Sequence, residues 1–173
     1  MLHPERNYMR GYFAIGVERI SKAFNVGSLF RSAHAFGASF VFTVNAQYEK
    51  SMETGSDTSN SLRQLPFYSF PTAKSMVLPR NCTLVGVELT DDAIELPSFR
   101  HPSRAAYILG PERNTLSQEI LEQCSHVTKI PTKFCVNVGV AGAIVMYDRL
   151  NSIGRFSQRP TRAGGPASRR SPA

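Results

Sequence analysis

Four nearly continuous apolar runs constrain this chain more than any other feature: YFAIGVE (12–18), SFVFTVN (39–45), CTLVGVEL (82–89) and AAYILG (105–110). A strand with one face in water alternates apolar and polar side chains, whereas a strand covered on both faces reads as a short apolar run. Helical patterns separate the runs. NVGSLFRSAHAF (25–36) sets Val26, Leu29, Phe30, Ala33 and Phe36 at three-and-four spacing, with Asn25 as the expected N-cap and Gly37 as the stop. Beyond a polar stretch come FYSF, a short helix over TAKSMVL, a helix from about Ser117 to Cys124, the segment HVTKIP, and a helix from about Asn137 to Ile153. The order predicts an α/β fold, a mostly parallel sheet with helices on both faces.

With 173 residues, 42% of them hydrophobic, the chain suffices for one core and one domain. No run approaches the roughly 18 apolar residues of a membrane span, and the opening MLHPERNYMR lacks the apolar centre of a secretory signal. A soluble, cytoplasmic protein without membrane contact is expected. Cys82, Cys124 and Cys135 are odd in number and widely spaced, and the four histidines are scattered, so neither a metal site nor a disulfide framework is predicted. The net charge of +7 is unevenly placed. After Asp148 come six arginines and no acid (Arg149, Arg155, Arg159, Arg162, Arg169 and Arg170), all read as tail charge that supplies +6 of the +7, leaving 14 basic and 13 acidic side chains in residues 1–148. The expected organisation is a folded domain over 1–153 and a basic tail over 154–173, disordered in isolation because it has little to bury.

In a parallel sheet, ligands collect where strands end. Four such places carry polar residues or glycines. In NVGSLFR, Asn25 and Arg31 frame a helix mouth, or else are an ordinary cap and a solvated arginine. In ILGPERNTLSQEI the strand breaks at Gly110-Pro111 and Glu112 follows, which suits close backbone approach to a ligand but also a plain strand-to-helix connection capped by Ser117. In KIPTKFCVNVGVAGAIVMYDRL a loop after Ile130-Pro131 enters a helix through Asn137, where Gly139, Ala141, Gly142 and Ala143 admit a close neighbour. In GVELTDD a buried strand ends in a polar turn at Thr90 to Asp92.

Taken in order, NVGSLFRSAHAFGA, ILGPERNTLS and IPTKFCVNVGVAGAIVMY resemble the three signature motifs of the SpoU/TrmH branch of the SPOUT methyltransferases. The resemblance covers about residues 12–153. It implies a C-terminal deep trefoil knot, a homodimer, S-adenosylmethionine as cofactor, and transfer of its methyl group to a ribose 2′-hydroxyl of tRNA or rRNA. It further implies that Leu89, Gly110, Ile130, Cys135 and Val136 line the cofactor pocket, and that Asn25, Arg31, Glu112 and Asn137 occupy the polar positions of the active site. Three positions depart from the family pattern. Cys135 and Gly139 stand where serines are usual, and Thr115 where glycine is usual.

Methyl transfer from a sulfonium is an in-line displacement, so alignment supplies much of the rate. The family assigns proton removal to the arginine corresponding to Arg31. A guanidinium holds its proton to above about pH 12, so orienting an RNA phosphate and stabilising developing alkoxide are the alternative duties of the same residue. The lost serines keep open a second reading, a catalytically silent SPOUT dimer that binds RNA. The arginine tail is either a solubilising terminus or an arm for RNA phosphates. A Rossmann-type nucleotide enzyme is disfavoured because no G-x-G-x-x-G follows a strand.

Overall fold

The protein is described by a computed structural model over residues 11–47, 64–111 and 114–154. Among these residues seven strands form one sheet: β1 (Tyr12–Glu18), β2 (Phe40–Val44), β3 (Phe67–Phe70), β4 (Thr83–Val87), β5 (Ile94–Glu95), β6 (Arg104–Leu109) and β7 (His126–Lys129). Their order is β3-β2-β1-β6-β4-β7-β5, and every neighbouring pair runs parallel. On it pack the helices α1 (Ala23–Ala35), α2 (Gln118–Gln123) and α3 (Val138–Ile153). All strand C-termini therefore open on one edge.

The apolar runs explain the centre of the sheet. From Phe13 to Glu18, and along all of β2, every side chain is buried, because helical layers cover both faces. On one face Ile15, Val17, Val85 and Tyr107 meet Leu29 and Phe30 of α1 and Val145 and Met146 of α3. On the other, Ala14, Phe42 and Ile108 meet Leu116 and Ile120. Each such aliphatic or aromatic side chain contributes about 1.5–3 kcal/mol by leaving water. Gly16 pairs with Phe42, and a Cβ there would meet the Phe42 ring at 2.5 Å, so a missing side chain makes room for a large one.

Four details differ from the sequence expectation. α1 begins at Ala23 with Lys22 as its cap, so Asn25 is a buried first-turn residue and not the N-cap. Its carboxamide is used in a tertiary bond to Asn137. TAKSMVL contracts to a single 3-10 turn, Ala73–Ser75, closed by a reciprocal Thr72–Ser75 capping box, with Pro79 soon after it to prevent propagation. The two-residue β5 at the sheet edge was not foreseen; the Thr128 hydroxyl holds it by donating to the Ile94 carbonyl at 2.9 Å. Finally, Arg149 does not belong to the basic tail. It lies 6% exposed in α3 and donates to the carbonyls of Tyr12, Pro102 and Ser103. Residues 155–173 of the tail lie outside the described residues.

α3 has two apolar stripes. Val138, Ala141, Gly142, Val145 and Met146 face the core, whereas Val140, Ile144, Tyr147 and Leu150 are exposed. Among the described residues no helix is long and apolar enough to cross a membrane.

Candidate active site

The strand ends of β4, β6 and β7 enclose a cavity of about 260 Å³. Val87, Glu88 and Leu89 come from β4 and its exit; Leu109, Gly110, Pro111, Asn114 and Thr115 from β6 and its exit; Ile130, Thr132, Cys135 and Val136 from the loop after β7; and Val138 and Ala141 from the start of α3. The positions Leu89, Gly110, Ile130, Cys135 and Val136, each picked out in the sequence, thus surround one space. Its lining combines aliphatic side chains with the polar residues Glu88, Asn114, Thr115 and Thr132, a composition that fits a planar heterocycle carrying polar edges.

Beside this cavity the two helices facing the same edge are tied together. Asn137 caps α3, its Oδ1 accepting the Gly139 amide at 2.9 Å and the Val140 amide at 3.4 Å, while its Nδ2 donates to Asn25 Oδ1 at 3.1 Å. The small residues of α3 make this approach possible. A Cβ on Gly139 would lie 2.9 Å from Ser28 Oγ, and the Cβ of any residue at Gly142 would lie 2.2 Å from Leu29 Cδ1. The close neighbour anticipated for the Gly139–Ala143 segment is therefore α1. The same contact accounts for glycine at 139, since Ser28 already stands where a side chain there would go.

Arg31 is exposed on α1, outside the lining of the cavity, and makes no ion pair among the described residues. Glu112 lies outside the described residues. Cys135 is exposed, and Cys124 is half-buried with its thiol pushed by burial up to about 12. No group of three His, Cys, Asp or Glu side chains suited to a metal occurs among the described residues.

Three charged residues around the site were not singled out in the sequence. Glu18, Arg19 and Glu88 stand at the exits of β1 and β4, the two strands flanking β6. Glu88 Oε1 accepts the Leu89 amide at 3.0 Å and Oε2 the Leu116 amide at 2.8 Å. Glu18 Oε2 accepts the Ser117 amide at 2.8 Å, and Arg19 donates to the Thr115 carbonyl. An acidic residue at a strand exit is common enough that sequence alone offers no signal for these bonds.

The fold of this chain, a parallel sheet with helices packed on it, is shared with several solved methyltransferase structures. The SpoU methyltransferase AviRb from Streptomyces viridochromogenes, solved with AdoMet, superposes with a TM-score of 0.69 at 21% identity, covering 86% of this chain and 62% of that one. The A. aeolicus TrmH/SpoU tRNA modifying enzyme gives 0.68 at 16% identity, covering 83% and 78%. The chain belongs to the SpoU rRNA methylase family, whose model matches residues 12–147. It is also 24% identical over 137 residues to the mouse tRNA (guanosine(18)-2′-O)-methyltransferase TARBP1, a match spanning 75% of this chain and 9% of that protein. The chain thus corresponds to a small part of that relative and to about three fifths of AviRb.

Proposed function

We propose that this chain is an S-adenosylmethionine-dependent RNA methyltransferase that modifies a ribose 2′-hydroxyl of tRNA or rRNA in the cytoplasm. The observation that carries the reading is the convergence of Leu89, Gly110, Ile130, Cys135 and Val136 on one cavity, next to the Asn25–Asn137 pair. Family membership supports the methyl transfer, the AdoMet complex of AviRb the cofactor, and the name of the mouse relative a tRNA ribose as one acceptor class.

When bound, S-adenosylmethionine supplies a methyl group on a positively charged sulfur. Leu89, Ile130 and Val136 would hold it by apolar contact, and the backbone near Gly110 and Cys135 would supply polar contacts. Asn137 and Asn25 fix the mouth of α3 relative to α1. Arg31, exposed on α1, would orient an RNA phosphate and stabilise the negative charge that builds on the ribose oxygen as the hydroxyl proton passes to solvent. Glu112 completes the polar set.

The exposed stripe of Val140, Ile144, Tyr147 and Leu150 on α3, with Phe24 at the start of α1, supports a homodimer, because a second copy would take this surface out of water. The C-terminal trefoil knot implied by the family sequence pattern belongs to the same reading, with residues 1–153 as the catalytic domain and the basic tail as an additional phosphate contact.

Calorimetric titration with S-adenosylmethionine tests the proposal. Binding near one molecule per chain is expected. A folded protein that binds RNA but no cofactor would instead be the silent RNA-binding dimer.

A further inference from the structure

The cavity wall formed by the β6 exit is held by three consecutive charged contacts that play no part in the chemistry above. Strand order places β6 between β1 and β4, so side chains leaving those two strands flank the loop that follows β6. Arg19 takes the Thr115 carbonyl, Glu88 the Leu116 amide and Glu18 the Ser117 amide. Three successive residues are thus gripped from both sides. Glu18 is buried, and Arg19 adopts a left-handed backbone with φ of 49°, an uncommon conformation for a non-glycine residue.

The carboxylate of Glu88 also explains Gly110. A Cβ at Gly110 would lie 2.9 Å from Glu88 Oε2 and 3.2 Å from the Leu116 nitrogen, so the glycine leaves space for the clamp itself. Hydrogen bonds from backbone amides to carboxylates are about twice as strong as neutral ones. Held this way, Gly110, Pro111, Asn114 and Thr115 form a wall of the cavity before any ligand arrives.

We propose that Glu88, assisted by Glu18 and Arg19, is a positioning residue that pre-forms the cofactor cavity by fixing the 114–117 segment, so that ligand binding need not order that loop. The proposal rests on the cofactor reading of the cavity. It assigns no contact between Glu88 and the reacting atoms. Its action is through the loop.

Glu88→Gln tests it. The variant retains one oxygen but turns an amide NH2 toward a backbone N–H, leaving Leu89 or Leu116 without its acceptor. The expected result is a dissociation constant for S-adenosylmethionine weakened by about tenfold to a hundredfold. At saturating cofactor, kcat should remain within about twofold of the wild type, a KM effect without a kcat effect. Tyr107→Phe, altered away from the strand exits, controls for general destabilisation and should leave cofactor affinity unchanged. Wild-type affinity in Glu88→Gln, or a fall in kcat at unchanged KM, would overturn the proposal. Should that variant fail to fold, hydrogen exchange on the wild type decides: the Leu116 and Ser117 amides should be protected without cofactor, and rapid exchange there would contradict a pre-formed wall. A wild-type protein that binds no S-adenosylmethionine would defeat the cofactor reading, while the exchange experiment still judges the clamp.

Discussion

Asn137 donates to Asn25 at 3.1 Å while its own oxygen accepts the first amides of α3. One side chain therefore caps a helix and sets that helix against α1, joining residues 112 positions apart. Asn137→Ala removes the cap and leaves buried Asn25 without this donor. It should destabilise the fold by about 1–3 kcal/mol, read from urea unfolding, and reduce methyl transfer beyond what the lost stability explains. An unchanged unfolding midpoint would show that the pair does not secure the helix mouth.

The contact of α1 with α3 depends on absent side chains. At Gly142 an added methyl would meet Leu29, itself fully buried and unable to swing into solvent. Gly142→Ala should cost about 1–3 kcal/mol by overpacking. Combined with Leu29→Ala, which opens space at the same point, its cost should shrink, and a double-mutant cycle measures that coupling. Strict additivity would place the clash elsewhere.

At the opposite end of the sheet His101 sits in a continuous hydrogen-bond chain. Arg149 Nη1 donates to the Tyr107 hydroxyl at 3.1 Å; that hydroxyl lies 2.6 Å from His101 Nδ1, and His101 Nε2 lies 2.9 Å from Asp148 Oδ2. Neutral His101 satisfies every partner by accepting from Tyr107 and donating to Asp148. A second ring proton would leave the Tyr107 proton without an acceptor. Burial first, and Arg149 in addition, hold the imidazole below its ordinary value of 6.5 despite the opposing pull of Asp148. The unfolded chain therefore binds a proton more readily than the folded one. Stability should be full above pH 6.5 and fall as pH drops from there toward the lowered folded value. Urea unfolding of wild type and His101→Gln at about pH 7.5 and about pH 5 checks this, the wild type losing more over the interval. Parallel losses would exclude His101 as the source.

Burial also separates the cysteines. Cys124 is held thiol-bound up to about 12 and half-buried Cys82 is likewise raised by burial, whereas Cys135 is exposed on the cavity rim. Iodoacetamide followed by peptide mass spectrometry should find Cys135 modified first, because the reactive species is the accessible thiolate. S-adenosylmethionine should slow that reaction. Labelling that begins at Cys124, or is indifferent to the cofactor, would contradict the described cavity.

Central strands were readable because burial on two faces leaves a continuous apolar record, as in the run from Phe13 to Val17. Ser117 was readable as a cap because the group it bonds is three residues away. Asn25 was misread by the same local logic, since its preference for a cap yields to a partner far along the chain. The clamp on the β6 exit is hidden for that reason, its bonds joining residues 28, 96 and 99 positions apart. Arg149 looked like tail charge because nothing near it in sequence announces the carbonyls of Tyr12, Pro102 and Ser103 that enclose it. The two-residue β5 is too short to leave a pattern.

Methyl transfer to RNA can be measured outright. Purified protein, isotopically labelled S-adenosylmethionine and unmodified tRNA or rRNA should yield a labelled 2′-O-methylnucleoside on mass spectrometry of the digested RNA, and Arg31→Ala should yield none while still binding cofactor. Label on a base, or full transfer by Arg31→Ala, would contradict the account.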